Sequence, residues 1–407
     1  MKGKKGLPIN RILLGDAGEK LKNLPSNSID LICCDPPYGY SFIGKDWDKA
    51  LVSLDIWKEC FRVLKDGAFA FVMSAPRQDV LSEAIARLRD AGFNIGFSSM
   101  FWAYASGFPK SLNISKSVDK QKGFLPKKSS WDGGGKKSYI FSHNKVYKEV
   151  KAVSEDAKAL AGSYGGFQPK PAVEIVIVAM KPFSEKTFAA QALKNGKAIT
   201  WLDDCRIPIA KGDEPHGGYG KEVIGFGPFD NKGGVKWKES PAAHLGRFPA
   251  NLLVSDETLN HGTTNKSDSY FSRYFDLDKW AVEKGVKDTF PFLICPKPGP
   301  GERNKGCEGL ERKKVDEQGS GYHSDWQQKP SRNFHPTVKP TKLMSYLITL
   351  GSRPGDVVLD PFVGSGTTCI AAKMLNRNYI GIEKEKEYYQ IAIKRLKSVS
   401  KIKQERK

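Results

Sequence analysis

The 407-residue chain predicts an α/β fold built on a mostly parallel sheet covered by helices. Three observations predict it. Short apolar runs alternate with amphipathic helical stretches near both ends of the chain, the rhythm of βαβ units. Two of the runs stop at an aspartate followed by proline, Leu31-Ile-Cys-Cys-Asp35-Pro36 and Val357-Val-Leu-Asp360-Pro361. Between these ordered parts lie long stretches rich in Gly, Lys and Pro with no period, which read as insertions rather than linkers.

In chain order, 11–16 is a strand ending in a Gly-Asp turn, and 17–24 is a short helix closed by Pro25. Residues 29–35 form a buried strand. The next helix, 54–64, spaces Trp57, Phe61 and Leu64 helically and ends at Lys65-Asp-Gly67. A strand follows at 68–74. Helix 78–91 puts Leu81, Ala84, Ile85 and Leu88 on one face, with Gly92 at its end. Residues 93–104 alternate as a strand, and 172–180 add one more. From 194 to about 332 the chain is irregular, with one apolar run at 290–295. Order returns with helix 341–350, strand 356–360, helix 367–375, strand 378–383 and a final amphipathic helix at 387–399.

Composition bounds the function. Hydrophobic residues make up 39% of the chain, enough for a full core. No apolar run is long enough to cross a bilayer, and Met1-Lys-Gly-Lys-Lys-Gly6 leads directly into a strand pattern. The expected location is therefore cytoplasmic. Seven cysteines without a CxxC pair support neither a disulfide framework nor a zinc ribbon. Cys295, Cys307 and His323 match no standard metal spacing, and no metal is expected. The net charge of +20 attracts polyanions. It is concentrated between 110 and 170, where 13 lysines face five carboxylates among interleaved aromatics, a pattern suited to phosphate contacts and stacking. A solvated loop is the plain alternative.

Two stretches carry candidate chemistry. Asp35 ends a strand, and the edge where strands end is where open α/β sheets bind ligands. Pro36 and Pro37 can neither donate to a ladder nor continue it. Asp35 and the Pro36 carbonyl offer acceptors beside the flat face of Tyr38, which suits a planar ring bearing an exocyclic amine. That is the amino edge of adenine or cytosine. A capped strand-ending turn is the competing reading. The second stretch is strand, glycine loop and helix start, 357–368. Gly364 and Gly366 allow a tight turn and close approach, and the helix start favours an anion. Glu383, ending the next strand, stands where a ribose hydroxyl pair would be held. The loop is neither a Walker loop nor the six-residue dinucleotide fingerprint.

Asp360-Pro-Phe-Val-Gly-Ser-Gly-Thr-Thr368 together with Asp35-Pro-Pro-Tyr-Gly39 resembles the S-adenosylmethionine-dependent DNA amino-methyltransferases, in the order of their β class. His335-Pro-Thr-Val-Lys-Pro340 and Gly15-Asp16 match further segments of that class. Gly44-Lys-Asp-Trp47, Ser106-Gly-Phe-Pro-Lys-Ser111, Lys170-Pro-Ala172 and Gly246-Arg-Phe-Pro-Ala-Asn-Leu252 resemble phage and prophage members. The resemblance implies a Rossmann-like, circularly permuted fold of seven strands, one of them antiparallel. It implies a catalytic domain in three pieces, 1–112, 171–207 and 335–407. Between them come a basic insertion at 113–170 and a target-recognition insertion at 208–334.

The implied cofactor is S-adenosyl-L-methionine. The implied partner is double-stranded DNA, with no membrane; a homodimer stays open. Asp35, the Pro36 carbonyl, Pro37 and Tyr38 form the implied catalytic motif. Asp360, Phe362, Gly364, Ser365, Gly366 and Thr367 would line the cofactor's methionine end, with Asp35 close by. Glu383 would hold its ribose, Asp16 its adenine amine, and Lys339 its carboxylate. His335 could simply cap a helix. Asp-Pro-Pro-Tyr favours N6 of adenine. Cytosine N4, an RNA or protein substrate, and a non-catalytic DNA-binding module remain as alternatives. No nuclease motif stands out, so a solitary methylase of a restriction-modification type is expected.

Overall fold

The structure is a computed structural model. It describes residues 6–39, 48–103, 112–124, 152–167, 173–207, 246, 248–254, 298–313 and 331–399. The chain divides into two compact units, Met1–Ser106 with Ala172–Lys407, and Gly107–Pro171.

The larger unit is organised by one strongly apolar strand, β2 (Ile29–Cys34), whose six residues are all buried. A strand buried on both faces reads as a continuous apolar run. Leu31 and Cys33 pack on one side of the sheet, Ile32 and Cys34 on the other. Around β2 stand β1 (Arg11–Leu14), β3 (Leu64–Ser74), β4 (Met100–Ala103), β7 (Val173–Met180), β8 (Leu252–Val254), β9 (Val357–Asp360) and β10 (Asn378–Glu383). Among the described residues they form one eight-stranded sheet in the order β1-β10-β9-β2-β3-β7-β4-β8. The five strands from β1 to β3 run parallel, β7 is antiparallel to both of its neighbours, and β8 runs parallel to β4.

Helices cover both faces. Helices α1 (Ala17–Lys22), α2 (Leu54–Val63) and α3 (Gln78–Asp90) bury Leu21, Trp57 and Leu88 on one side. After a short α6 (Phe188–Asn195) and α7 (Pro300–Asn304), α8 (Thr341–Gly351), α9 (Thr367–Met374) and α10 (Lys386–Lys397) bury Leu343, Tyr346, Ile370 and Leu396 on the other.

The smaller unit contains a two-stranded ribbon, β5 (Leu112–Asn113) with β6 (Tyr164–Gly165), and two helices, α4 (Ile114–Gln121) and α5 (Glu155–Ala159). Asn113 and Ser154 cap the helices, and Asp119 accepts from the Val153 and Ser154 amides at 2.8 and 2.9 Å.

Several expectations are corrected. The sheet has an eighth strand because Leu252–Val254 pairs along the outer edge of β4. Strand β3 begins at Leu64 rather than at 68. The Lys65-Asp-Gly67 turn survives inside it as a register shift, with Ile29 opposite Leu64 but Leu31 opposite Phe69. The expected strand 93–104 shortens to β4. There the Asn94 side chain accepts from the Gly96 amide at 2.9 Å, a local turn that competes with ladder pairing. The weakly patterned stretches also hid α4, α5 and α7, and α6 lies just ahead of the second one; each has eight residues or fewer. The apolar run at 290–295 lies outside the described residues.

A buried ionic knot locks the edge of the sheet away from the strand tips. Asp30 of β2 takes Lys65 Nζ at 2.6 Å and Lys197 Nζ at 3.0 Å, and accepts from the Val357 amide at 2.9 Å. Lys197 also reaches Asp356 at 2.9 Å. Burial pushes the Asp30 carboxyl up, but Lys197, Lys65 and the Val357 N–H outweigh it and hold it below the usual range. A lowered carboxyl contributes stability that is present above about pH 4 and lost as pH falls through its folded value. Asp30→Asn leaves Lys197 with half its partners in a buried site and should cost roughly 3–5 kcal/mol by urea unfolding. The gap to the parent protein should narrow below about pH 4.

Candidate active site

Parallel pairing brings the two motif stretches together. Leu31 and Ile32 of β2 lie opposite Val358 and Leu359 of β9. From β9 the chain crosses through α9 to β10 on one side; from β2 it crosses through α2 to β3 on the other. Adjacent strands whose connections diverge leave a crevice at their carboxyl ends, where doubly wound sheets bind ligands. Asp35 follows β2, Asp360 ends β9 and Glu383 ends β10 at this edge. Asp16 lies two residues past Leu14, which pairs with Glu383.

The Asp35 loop is held from several directions. Asp48 Oδ1 accepts from the amides of Tyr38 and Gly39 at 2.7 and 3.0 Å, fixing the turn after the two prolines. The Tyr38 hydroxyl donates to Asp35 Oδ1 at 2.7 Å. Lys339 Nζ lies 2.5 Å from Asp35 Oδ2 and 3.3 Å from Glu174 Oε2. Burial would lower the Lys339 pKa, but the charges of Asp35 and Glu174 raise it above the ordinary lysine value.

The glycine turn is equally specified. Gly364 and Gly366 have φ of +54° and +89°. A Cβ on Gly364 would lie 2.7 Å from His335 Nε2. His335 is buried against Tyr388, with ring centroids 4.4 Å apart. Burial, then the charges of Arg303, Lys339 and Arg395, push its pKa down to about 3, so the ring is neutral. The Arg395 guanidinium donates to the Ser365 carbonyl and hydroxyl at 2.7 and 2.9 Å, and to the Thr367 hydroxyl at 3.2 Å.

Two carboxyls at the turn are shifted upward. Glu383 accepts from the Gly364 and Glu385 amides at 2.7 and 2.8 Å, yet burial outweighs them and raises it to about 7. Asp360 is raised to about 7 as well, chiefly by burial, with the Asp35 charge adding to it. Burial thus penalises the ionised form of both carboxyls, so stability is full below about pH 4 and falls as pH rises through about 7.

A family model described as DNA methylase, N6_N4_Mtase, matches residues 29–394. The chain belongs to this family. Among curated relatives, the type II methyltransferase M.HinfI of Haemophilus influenzae is 47% identical over 93 residues, 23% of this chain and 22% of that protein. The type II methyltransferase M2.DpnII of Streptococcus pneumoniae is 36% identical over 137 residues, 33% of this chain and 46% of that protein. The chain thus spans less than half the length of these relatives. Two solved structures align over most of the chain at low similarity. One is a complex of M1.HpyAVI with SAM, at 16% identity and TM-score 0.39, covering 95% of this chain and 99% of that one. The other is the cytosine-N4-specific PvuII DNA methyltransferase, at 16% identity and TM-score 0.41, covering 94% and 84%.

Within this family member, the expected site residues are gathered at one sheet edge, with three differences of detail. Asp16 caps α1, its Oδ1 accepting from the Gly18 and Glu19 amides at 2.9 and 3.3 Å. Ser365 and Thr367 turn their hydroxyls to Arg395. Lys339, expected at a cofactor carboxylate, sits on Asp35 and Glu174, the two carboxylates its buried ammonium meets. Phe362 packs edge-on to Trp57 at 6.0 Å. Cys307 is buried beside Tyr388 and Ile391, while Cys295 and His323 lie outside the described residues. Among those residues, no helix is long and apolar enough to cross a membrane.

Sequence reasoning missed Asp48, Arg395 and Glu174. Glu174 had a readable signal, because it is a lone carboxylate in the apolar run Val173–Met180 and such a group is seldom buried without a partner. Gly364→Ala must adopt positive φ and push against the His335 ring, so it should cost roughly 1–3 kcal/mol. Gly355 has φ +93° but nothing within 4 Å of an added Cβ. Gly355→Ala should therefore cost less in the same thermal or urea unfolding measurement.

Proposed function

We propose that this protein transfers the methyl group of S-adenosylmethionine to the N6 amine of an adenine swung out of duplex DNA. The juxtaposition of the Asp35 tip with the glycine turn, on adjacent strands at one edge, carries this reading.

The residues at the turn fit the cofactor. Two glycines at positive φ keep side chains out of the bend, and the α9 amides open toward an anion. The Ser365 and Thr367 side chains are engaged from behind, so the turn offers a ligand chiefly its backbone. Glu383 accepts the ribose hydroxyls, Asp16 the adenine amine, and Phe362 and Asp360 bound the methionine end. When bound, the cofactor supplies a methyl group already activated by its sulfonium.

The amine of a nucleobase is a weak nucleophile, so placing it contributes much of the rate. Asp35 and the Pro36 carbonyl accept its two N–H groups, which aims the nitrogen lone pair at the methyl. Pro37 stiffens the loop and Tyr38 stacks on the extruded ring. The Asp of Asp-Pro-Pro-Tyr favours adenine over cytosine. The order of the two motifs supports a permuted, β-class enzyme, and the segments resembling phage members, with no nuclease motif, support a solitary type. The insertions at 113–170 and 208–334 are its DNA-reading parts, and the lysine surplus in the first supports phosphate contact.

Incubation with duplex DNA and labelled S-adenosylmethionine, followed by nucleoside analysis, should yield N6-methyladenine. N4-methylcytosine would move the assignment to cytosine, and no labelled nucleoside would end it. Asp35→Ala should abolish transfer while leaving cofactor affinity within about twofold by calorimetry, since a group placed on the acceptor side adds little to cofactor binding. Because Glu383 titrates near about 7 and its ionised form accepts both ribose hydroxyls, cofactor affinity should strengthen as pH rises through that value. Glu383→Gln should weaken binding and flatten the pH dependence.

A further inference from the structure

Strand β7 runs opposite to its neighbours, so its beginning lies where theirs end. Glu174, its second residue, pairs in register with Trp102 and lies just past the Ser74–Ile175 pair. This delivers a carboxylate from an antiparallel strand to the catalytic edge. Lys339 reaches the same point from the loop before α8. Asp35 Oδ2, Lys339 Nζ and Glu174 Oε2 form a chain with links of 2.5 and 3.3 Å. Tyr38 Oη closes the group, donating to Asp35 Oδ1 at 2.7 Å and standing 3.5 Å from Glu174 Oε2. All three charged side chains are largely buried, at 18%, 8% and 11% exposure for Asp35, Lys339 and Glu174.

We propose that Glu174 and Lys339 act as a positioning pair that holds and orients the Asp35 carboxylate for the target amine. Neither residue makes or breaks a bond. The Tyr38 hydroxyl has one proton and two carboxylates within reach. Turning the O–H bond from Asp35 toward Glu174, with the proton staying on Tyr38, opens an Asp35 lone pair for the incoming N–H while Lys339 keeps the carboxylate in place. The pair also answers a charge problem, because Asp35 faces Asp360 at the end of β9 as well as Glu174, with Lys339 the cation between Asp35 and Glu174. Lys339 therefore serves the acceptor side of the site rather than the cofactor's carboxylate. The inference rests on the reading of Asp35 as acceptor of the target amine.

The test compares Lys339→Met, Glu174→Gln and the double variant in full-length protein. Cofactor affinity is measured by calorimetry, and kcat and its pH profile with saturating DNA. Each single change should lower kcat on the order of 10- to 100-fold, the scale of a small misplacement of a reacting group. Cofactor affinity should stay within about twofold, and the double variant should cost little more than the worse single one, as expected of residues acting as a unit. The acidic limb of kcat should move to higher pH in Lys339→Met, where Asp35 is left facing Glu174 and Asp360. In Glu174→Gln, where a like charge is removed, it should move to lower pH. A merely structural pair would not give opposite signs.

Cofactor binding lost in Lys339→Met with kcat intact at saturating cofactor would overturn the proposal. So would an unchanged kcat and pH profile in Glu174→Gln. If Lys339→Met fails to fold, the isosteric Glu174→Gln decides alone. Parent protein that methylates no DNA would remove the functional reading itself, whereas active parent protein with unaffected variants would remove only the positioning pair.

Discussion

Everything at the site depends on the parallel pairing of β2 with β9. One strand comes from near residue 30 and the other from near residue 358, and their ladder puts Asp35 and the glycine turn at a common edge. The pairing is held at its far end and along its length. At the far end Asp30 accepts from the Val357 amide and collects two lysines. Along its length both faces of β2 are buried under helices, so a one-residue slip would exchange Leu31 and Cys33 for Ile32 and Cys34 on opposite sides. The near end is then free to carry polar groups that do not help the fold.

Those polar groups are unusually acidic for a buried region. Asp35, Glu174, Asp360 and Glu383 converge on one edge, and each arises from a different strand. The structure handles them in two ways. At Asp360 and Glu383 burial prevails, and both carboxyls titrate near 7. At Asp35 and Glu174 a buried lysine supplies the counter-charge. Removing charges from water without partners is costly, and sites that tolerate such an arrangement are commonly functional ones.

Much of this was legible in the sequence. The strong periods at both ends gave β2, α3, α9 and β10 nearly to the residue, because long apolar patterns leave few alternatives. Asp35, Glu383 and the two glycines were located at strand ends and a tight turn because those features have local signatures. Glu174 was not singled out, and Lys339 was expected at the cofactor's carboxylate rather than on Asp35, because their meaning lies in a contact between segments far apart in the chain. The antiparallel direction of β7 has no local signature, and without it Glu174 looks like an oddity of a core strand. Short elements such as α5 and α7 carry too few residues for a period to emerge from Gly-, Lys- and Pro-rich sequence.

The pairing of β4 with β7 has a consequence for how such a chain diversifies. Trp102 and Ala103 lie in register with Glu174 and Val173, and the whole Gly107–Pro171 unit is strung between them. Both anchorage points of that unit are thus neighbouring rungs of a single ladder, and lengthening a segment between fixed ends costs little additional closure entropy. A cassette mounted in this way can be shortened, enlarged or traded while those rungs keep their spacing.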